Sequence, residues 1–101
     1  MMRYVLFGED APGAIELRLA VRAAHRARLD QLQSEGRLVL AGPMPAIDAR
    51  DAGPAGFFGS LIIAEFASLQ DARDWLAADP YVTEGVYART SVRPFKQVYP
   101  Q

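Results

Sequence analysis

Apolar and polar residues alternate in blocks that predict regular secondary structure from the start of the chain. Residues 4–7 (Tyr-Val-Leu-Phe) are apolar and rich in β-forming types, which predicts a buried strand that stops at Gly8. Residues 14 to about 35 contain no Gly or Pro and are rich in Ala, Leu and Arg, which favours a long helix. Gly36 stands where a glycine commonly follows the last helical residue.

Two further apolar runs follow this helix. Residues 38–41 predict a second strand, and we expect Gly42-Pro43 to end its pairing because proline has no amide donor. Residues 46–56 mix Asp, Gly and Pro, which is typical of a surface loop. Residues 57–66 then predict a third strand.

The last third of the chain predicts one helix and one strand. Ser68 opens the helix with a capping-box pattern, and Leu69, Ala72 and Leu76 are spaced to form its inner face. Pro80 ends the helix, since the residue before a proline disfavours the α conformation. Residues 86–98 predict the final strand, with Pro94 at an edge or a bulge.

The element order is therefore β-α-β-β-α-β, in a single domain over residues 1–101. This order predicts an α+β, ferredoxin-like fold, in which an antiparallel sheet carries both helices on one face. The other face of such a sheet is uncovered. An apolar uncovered face needs a partner, so we expect a homodimer formed through the sheets.

Composition narrows the classes of function. The chain has no cysteine, which excludes a thiolate nucleophile and cysteine-based metal centres. Its net charge of −1 argues against a nucleic-acid partner. No apolar run approaches the ~20 residues of a membrane span, so we expect no membrane partner and a cytoplasmic location. Acidic residues lie among the arginines of the first helix, which predicts a solvated face; these arginines are Arg18, Arg22, Arg26 and Arg28.

His25 is the only histidine, and it interrupts an apolar stripe on the first helix. At ~100° per residue it falls within one arc of that helix, toward which Arg28 also projects. A histidine in such a stripe needs partners for its ring nitrogens. It is either a satisfied core histidine or part of a site. The apolar residues of the arc are Leu17, Val21, Ala24, Leu29 and Leu32.

Asp79 is the second candidate. It lies at the carboxyl end of the second helix, where a negative charge is unfavourable for the helix dipole, and this suggests a compensating partner. The alternative is an ordinary turn aspartate. A paired carboxylate would fix the tautomer of His25, whose imidazole can move a proton near neutral pH. Both helices lie on the same side of the predicted sheet, so contact between the two residues is feasible.

Other constellations predict little chemistry. Ser60 continues a strand rather than a strand-to-helix turn, so it is a supporting hydrogen-bonding residue rather than a nucleophile. The carboxylates show no metal-ligand spacing, and the glycines form no phosphate loop. We therefore expect neither a metal nor a cofactor.

Stretches spread over nearly the whole chain resemble those of one family, in the same order and spacing. They are Arg22-Ala23-Ala24-His25, Glu35-Gly36-Arg37-Leu38, Ala41-Gly42-Pro43-Met44-Pro45-Ala46, Ala55-Gly56-Phe57-Phe58-Gly59-Ser60, Ile63-Ala64-Glu65-Phe66, Ala78-Asp79-Pro80-Tyr81, Gly85-Val86-Tyr87 and Val92-Arg93-Pro94-Phe95-Lys96. The chain thus resembles the YCII-related, or YciI-like, family. The resemblance implies a dimeric α+β barrel.

The resemblance also implies site residues. His25 and Asp79 match a histidine and an aspartate proposed as a catalytic dyad in a pocket, and Ser60 matches a serine near it. The family includes a dehydrochlorinase acting on a chlorinated hydroxyhydroquinone, and the wider fold group includes muconolactone isomerase. The chain departs from the family pattern at Ala23, where proline is frequent, and at Phe58, where a smaller polar residue is common; the second change is expected to alter the shape of the pocket.

Two functions remain open. The chain is a small, cofactor-independent enzyme that uses His25 and Asp79 for proton transfer on a small cyclic or aromatic metabolite, as a lyase or isomerase does. Alternatively, it is a non-catalytic homodimer that binds a small molecule or serves as an accessory module. A nucleic-acid binder is the least supported class. The residues expected to contact the ligand are Ser60, Arg22, Gly42, Pro43, Met44 and Tyr81.

Overall fold

A four-stranded antiparallel sheet forms the centre of the protein in a computed structural model that describes residues 1–101. The strands stand in the order β2-β3-β1-β4, and every neighbouring pair is antiparallel. Their bounds are β1 Met2–Asp10, β2 Leu38–Pro45, β3 Phe57–Phe66 and β4 Tyr87–Phe95. The helices are α1 Ile15–Ser34, α2 Leu69–Ala77 and the short α3 Pro80–Thr83, with a 3₁₀ turn at Gly53–Ala55.

The helices cover one face of this sheet. Alternate residues of the strands, such as Leu6 and Ile62, share one buried apolar cluster with Leu32 of α1 and Leu76 of α2. The arrangement confirms the α+β, ferredoxin-like prediction. The short α3 and the 3₁₀ turn are additions that the sequence pattern did not predict.

Strand β1 was predicted to stop at Gly8, but it does not. It continues to Asp10, and Gly8 pairs with Ser60 on one side and Thr90 on the other. A Cβ atom at Gly8 would lie 2.5 Å from the ring of Tyr87, so the ring occupies the space above this glycine. Gly8 therefore admits a neighbouring ring rather than ending the strand.

Strand β2 likewise continues past the predicted stop at Gly42-Pro43. Pro43 pairs with Ser60, and the strand ends at Pro45. Because β2 is an edge strand, it has hydrogen-bonding groups that face away from the sheet, where a proline removes no ladder bond. At the other edge of the sheet, Pro94 lies in β4, opposite Tyr4 of β1, and this confirms the predicted edge position of Pro94.

The buried face of α1 differs from the predicted arc. Leu17 and Ala24 are exposed, whereas Arg18 joins His25 and Leu32 as the buried residues of the helix. Arg18, His25 and Leu32 follow one another at intervals of two helical turns, so they share one face. The prediction of a solvated arginine face is therefore wrong for Arg18.

Helix α2 follows its predicted pattern. The Ser68 hydroxyl accepts the backbone N–H of Asp71 at 3.0 Å, which caps the helix. Ala72 and Leu76 are buried, and Leu69 packs against them. None of the helices combines the length and hydropathy that crossing a bilayer requires.

Candidate functional site

The carboxylate of Asp79 is fully buried and accepts three hydrogen bonds. Its backbone is extended (φ −70°, ψ 139°) and caps α3, where Oδ1 accepts the Tyr81 N–H at 2.9 Å. Oδ1 also lies 2.8 Å from His25 Nδ1, and Oδ2 accepts Arg28 Nη1 at 3.0 Å. The predicted end of the second helix is thus the start of the short α3, where a carboxylate is favourable rather than unfavourable.

Arg28 reaches Asp79 across a short gap between α1 and α3. Its guanidinium lies over the ring of Trp75, 4.2 Å from the centroid, and this contact holds the planar group in place. Arg28 therefore supplies a positive charge to Asp79 at Oδ2, whereas His25 meets Oδ1. An ionised carboxylate so deeply buried needs such a partner.

The imidazole of His25 is held on two sides. It stacks on the ring of Tyr81, with centroids 3.9 Å apart and an interplanar angle of 10°. Because an ionised carboxylate only accepts hydrogen bonds, Nδ1 carries the proton directed at Asp79. Nε2 makes no hydrogen bond within the chain and is not sealed from solvent. The ring thus presents Nε2 as the nitrogen that can meet a ligand.

A cleft of about 360 Å³ lies between α1 and the β2 side of the sheet. It brings together most of the ligand-contact residues predicted from the sequence, along with His25. Asp79 stands behind His25, outside the cleft, and Met44 is half-buried beside Gly59 without reaching it. The predicted residues that line the cleft are Arg22, His25, Gly42, Pro43, Ser60 and Tyr81.

A second buried polar cluster borders the same cleft. Arg18 Nε and Nη2 donate to the two carboxylate oxygens of Asp10 at 2.9 and 3.0 Å, and Nη2 also donates to Ser60 Oγ at 2.6 Å. The guanidinium lies 4.8 Å from the ring centroids of both Phe57 and Tyr81. The residue pattern did not predict this cluster, although the spacing of Arg18 from His25 places both on one helix face.

Burial and charge change the acidity of three groups at the cleft. Burial alone lowers the pKa of the Arg18 guanidinium, but its hydrogen bond to Asp10 and the charge of Asp10 outweigh burial, and the pKa is raised. Burial raises the pKa of Tyr81, against the opposing charges of Arg18 and Arg22. Burial also raises the pKa of Tyr87 to about 12. Arg18, Tyr81 and Tyr87 therefore all keep their protons at neutral pH.

The Tyr87 hydroxyl is the one buried side-chain group without a hydrogen-bond partner. Ser60 lies near enough to oppose the rise of its pKa, but the two hydroxyls fall outside hydrogen-bonding geometry. The ring of Tyr87 meets that of Tyr81 edge to face at 5.5 Å. Tyr87 therefore packs behind the cleft rather than lining it.

No cluster of three or more His, Asp or Glu residues could hold a metal ion. The two buried carboxylates beside the cleft, Asp10 and Asp79, are both engaged by arginines. The side chains of the cleft offer a ligand an imidazole nitrogen, the hydroxyls of Ser60 and Tyr81, the Gln33 amide and guanidinium groups.

Two other cavities of similar size lie away from these groups. One, of about 380 Å³, lies between α2 and β4, and the other, of about 340 Å³, lies beside the turn between β1 and α1. Neither contains His25 or Ser60. Phe58 lines the second and packs against Phe7, so the expectation that it shapes the cleft beside His25 is wrong.

Solved structures of other proteins share this fold. The 5-chloro-2-hydroxyhydroquinone dehydrochlorinase TftG from Burkholderia phenoliruptrix, in complex with 2,5-dihydroxybenzoquinone, superposes with a TM-score of 0.82 at 28% identity, covering 95% of each chain. Protein Atu4242 from Agrobacterium tumefaciens superposes with a TM-score of 0.54 at 20% identity, covering 99% of this chain and 96% of that one. The second likeness concerns the fold alone.

Two relatives are much more similar to this chain in sequence than these two solved structures are. Protein YciI from Escherichia coli O6:H1 is 56% identical over 98 residues, which are 97% of this chain and the full length of the relative. An uncharacterized protein of Haemophilus influenzae is 57% identical over the same span. A family model described as the YCII-related domain matches residues 2–96. With this match and these relatives over nearly its whole length, the chain belongs to the YCII-related family.

Proposed function

We propose that the protein is a small, cofactor-independent enzyme in which His25 transfers a proton on a small cyclic or aromatic metabolite. One observation carries this proposal. Asp79 is fully buried and holds His25 Nδ1 at 2.8 Å, while Nε2 of the same ring is left for the cleft. An imidazole held in one tautomer, with its free nitrogen in a ligand-sized cavity, is suited to general acid–base catalysis.

Each of these residues has its own role in the proposed reaction. Nε2 of His25 removes a proton from the substrate, and the imidazolium that forms is stabilised by the hydrogen bond from its Nδ1–H to the carboxylate of Asp79, which is not itself protonated. Arg28 holds the carboxylate of Asp79 in place through the 3.0 Å contact. In an elimination the electron pair left by the proton expels a leaving group such as chloride; in an isomerisation Nε2 returns the proton to another carbon.

The likeness to the dehydrochlorinase supports this class of reaction. Dehydrochlorination removes one proton and one chloride from an organic ring, so it needs a base but no redox cofactor. The neighbour is 28% identical over nearly the whole chain, which supports a shared architecture of the site rather than the same substrate. The substrate class we propose is therefore a small cyclic molecule. It carries a carbonyl or lactone group, or a hydroxyl group together with a leaving group.

Turnover assays with lactones and halogenated hydroxyquinols test the proposal. We expect His25→Asn to lower kcat by about 10²-fold or more, the usual contribution of a general acid–base group. Arg50→Gln, at an exposed loop position away from the cleft, is the control and leaves kcat unchanged. Undiminished turnover by His25→Asn would exclude the mechanism. A ligand that shifts the melting temperature without ever being converted would instead favour the non-catalytic binding module.

We also propose that two chains associate through the sheet face that the helices leave uncovered. Val5, Phe7, Leu61 and Ile63 alternate with the helix-facing residues of β1 and β3, so the centre of this face is apolar, and Ser91 and Arg93 of β4 border it. Leu40 on the edge strand is 48% exposed. Sedimentation velocity is expected to give twice the 11.1 kDa mass of one chain, and Leu61→Glu to give monomers. Leu19→Glu, on the exposed side of α1, serves as the control.

A further inference from the structure

The cleft beside His25 is lined by hydrogen-bond donors of positive charge. Arg18, Arg22 and Arg26 all line it, and no Asp or Glu does. The chain as a whole carries a net charge of −1, so the positive character is local to this cleft. A concave surface with charge of one sign concentrates ligands of the opposite sign.

The three arginines are not equivalent. Arg18 is buried and its charge is balanced by Asp10. Arg22 and Arg26 are exposed at the mouth of the cleft and make no ion pair within the chain. Arg22 also lies close enough to Tyr81 for its charge to oppose the rise in the pKa of that phenol. Arg22 thus directs an unbalanced positive charge toward the ring on which His25 stacks.

Ser60 adds a neutral donor on the sheet side of the cleft. Arg18 Nη2 donates to Ser60 Oγ at 2.6 Å, so a charged donor occupies the accepting side of this oxygen. Ser60 is 5% exposed, and the neighbouring hydroxyl of Tyr87 forms no hydrogen bond with it. Its own proton is therefore available to a ligand in the cleft. Asp10 and Arg18 act as positioning residues that make Ser60 a donor.

Nε2 of His25, the Gln33 amide oxygen and the Tyr81 hydroxyl can accept hydrogen bonds in this cleft. Its charged groups without an ion pair, Arg22 and Arg26, only donate. A ligand rich in acceptors satisfies this set, and a neutral ligand leaves charged donors without partners. We propose that the cleft binds its substrate as an anion, with an ionised enol or carboxylate oxygen held between the Ser60 hydroxyl and the Arg22 guanidinium. This inference rests on the proposed function in placing the substrate beside His25.

Binding measured by calorimetry at pH 7 tests the charge of the ligand. The anionic probe is 2,5-dihydroxybenzoquinone, whose enolic hydroxyls are vinylogous acids and ionise at neutral pH. The neutral probe is hydroquinone, a ring of the same size. We expect the anion to bind at least about 10-fold more tightly, a difference of about 1.4 kcal/mol, and this preference to shrink as salt is added.

The variants locate the subsite. Arg22→Gln is expected to remove most of the preference for the anion, and Ser60→Ala to weaken it, whereas the matched control Arg50→Gln leaves it unchanged. Equal binding of both probes, no binding of the anion, or an unaltered preference in Arg22→Gln would each overturn the inference.

Failure of this inference is distinguishable from failure of the proposed function. Repeating the binding measurement with His25→Asn gives the anion preference without any turnover. A preference that depends on Arg22, in a chain that converts no substrate, leaves the anion site standing and removes the enzyme. Turnover that depends on His25, without an anion preference, does the reverse.

Discussion

The imidazole ring of His25 lies flat against the phenol ring of Tyr81, with 3.9 Å between the centroids. The backbone N–H of Tyr81 donates to Asp79 Oδ1, the same oxygen that lies against His25 Nδ1. One residue therefore sets both the plane of the imidazole and the position of its carboxylate partner. The short helix α3 that begins at Pro80 is what places the ring and the N–H together.

The stack predicts different effects for two substitutions of Tyr81. Tyr81→Phe keeps the ring and is expected to leave any turnover within about 3-fold of the unmodified protein. Tyr81→Leu removes the flat contact, and we expect turnover to fall by about 10-fold or more as the imidazole loses its fixed plane. Steady-state kinetics with thermal melting as the control for folding check this. Equal losses in both variants would assign the effect to the hydroxyl instead.

The geometry also predicts the tautomer of His25. Because Nδ1 faces an ionised carboxylate, neutral His25 is expected to carry its proton on Nδ1 and to leave Nε2 unprotonated. The chain has one histidine, so long-range proton–nitrogen NMR correlations report this ring without overlap. Asp79→Asn is expected to shift the tautomer balance. A dominant Nε2–H form in the unmodified protein would contradict the proposed orientation.

Removal of the Asp79 charge is expected to destabilise the fold. Asp79→Asn leaves Arg28 beside a neutral amide, and breaking a buried ion pair by changing one partner costs about 3 kcal/mol. Urea unfolding of Asp79→Asn measures this loss of free energy of unfolding. The control is Asp48→Asn on the exposed loop, expected to change stability by about 0.5 kcal/mol or less. Similar stabilities for the two variants would contradict a stabilising ion pair between Asp79 and Arg28.

The order of strands and helices followed from the sequence because apolar alternation and helix-forming runs are local signals. The misread positions were those whose meaning depends on distant neighbours. Gly8 reads as a strand stop until the ring of Tyr87 is known to lie above it. Pro43 reads as a break until β2 is known to be an edge strand.

The candidate site also contains residues that local signals predicted and residues that depend on distant neighbours. His25 was found because a lone imidazole in an apolar stripe demands a partner, and Asp79 because its placement appeared unfavourable for a helix end. Arg18 was missed because carboxylates nearby in sequence suggested solvation, whereas its partner is Asp10 at the end of β1. Pairing across elements depends on three-dimensional approach, which residue spacing does not record.

Two glycines of the sheet are expected to differ strongly in how much stability the same substitution removes. A Cβ at Gly59 would lie 1.9 Å from the carbonyl oxygen of Gly8, so Gly59→Ala must push two paired strands apart. We expect it to cost at least about 3 kcal/mol or to prevent folding, as severe overpacking does. Gly42 has open space at its Cβ position, and Gly42→Ala is expected to stay within about 0.5 kcal/mol. Urea unfolding compares them, and a stable Gly59→Ala protein would contradict the close approach.

The buried phenol of Tyr87 predicts how stability depends on alkaline pH. Burial raises its pKa to about 12, from 10.0 for an exposed phenol, so folding favours the protonated form. This contribution is fully present below pH 10 and is lost as the pH rises through 12. Two pKa units correspond to about 2 to 3 kcal/mol of free energy of unfolding.

Urea unfolding from about pH 8, below both of these pKa values, to about pH 11.5, between them, isolates that contribution in Tyr87→Phe. The variant is expected to lose less stability with rising pH than the unmodified protein. At neutral pH it is expected to be as stable or about 1 kcal/mol more stable, because the hydroxyl it removes is buried without a partner. Tyr99→Phe, at a residue that is 74% exposed, should leave the pH profile unchanged. Parallel profiles for Tyr87→Phe and the unmodified protein would show that the phenol of Tyr87 ionises as readily in the fold as in water.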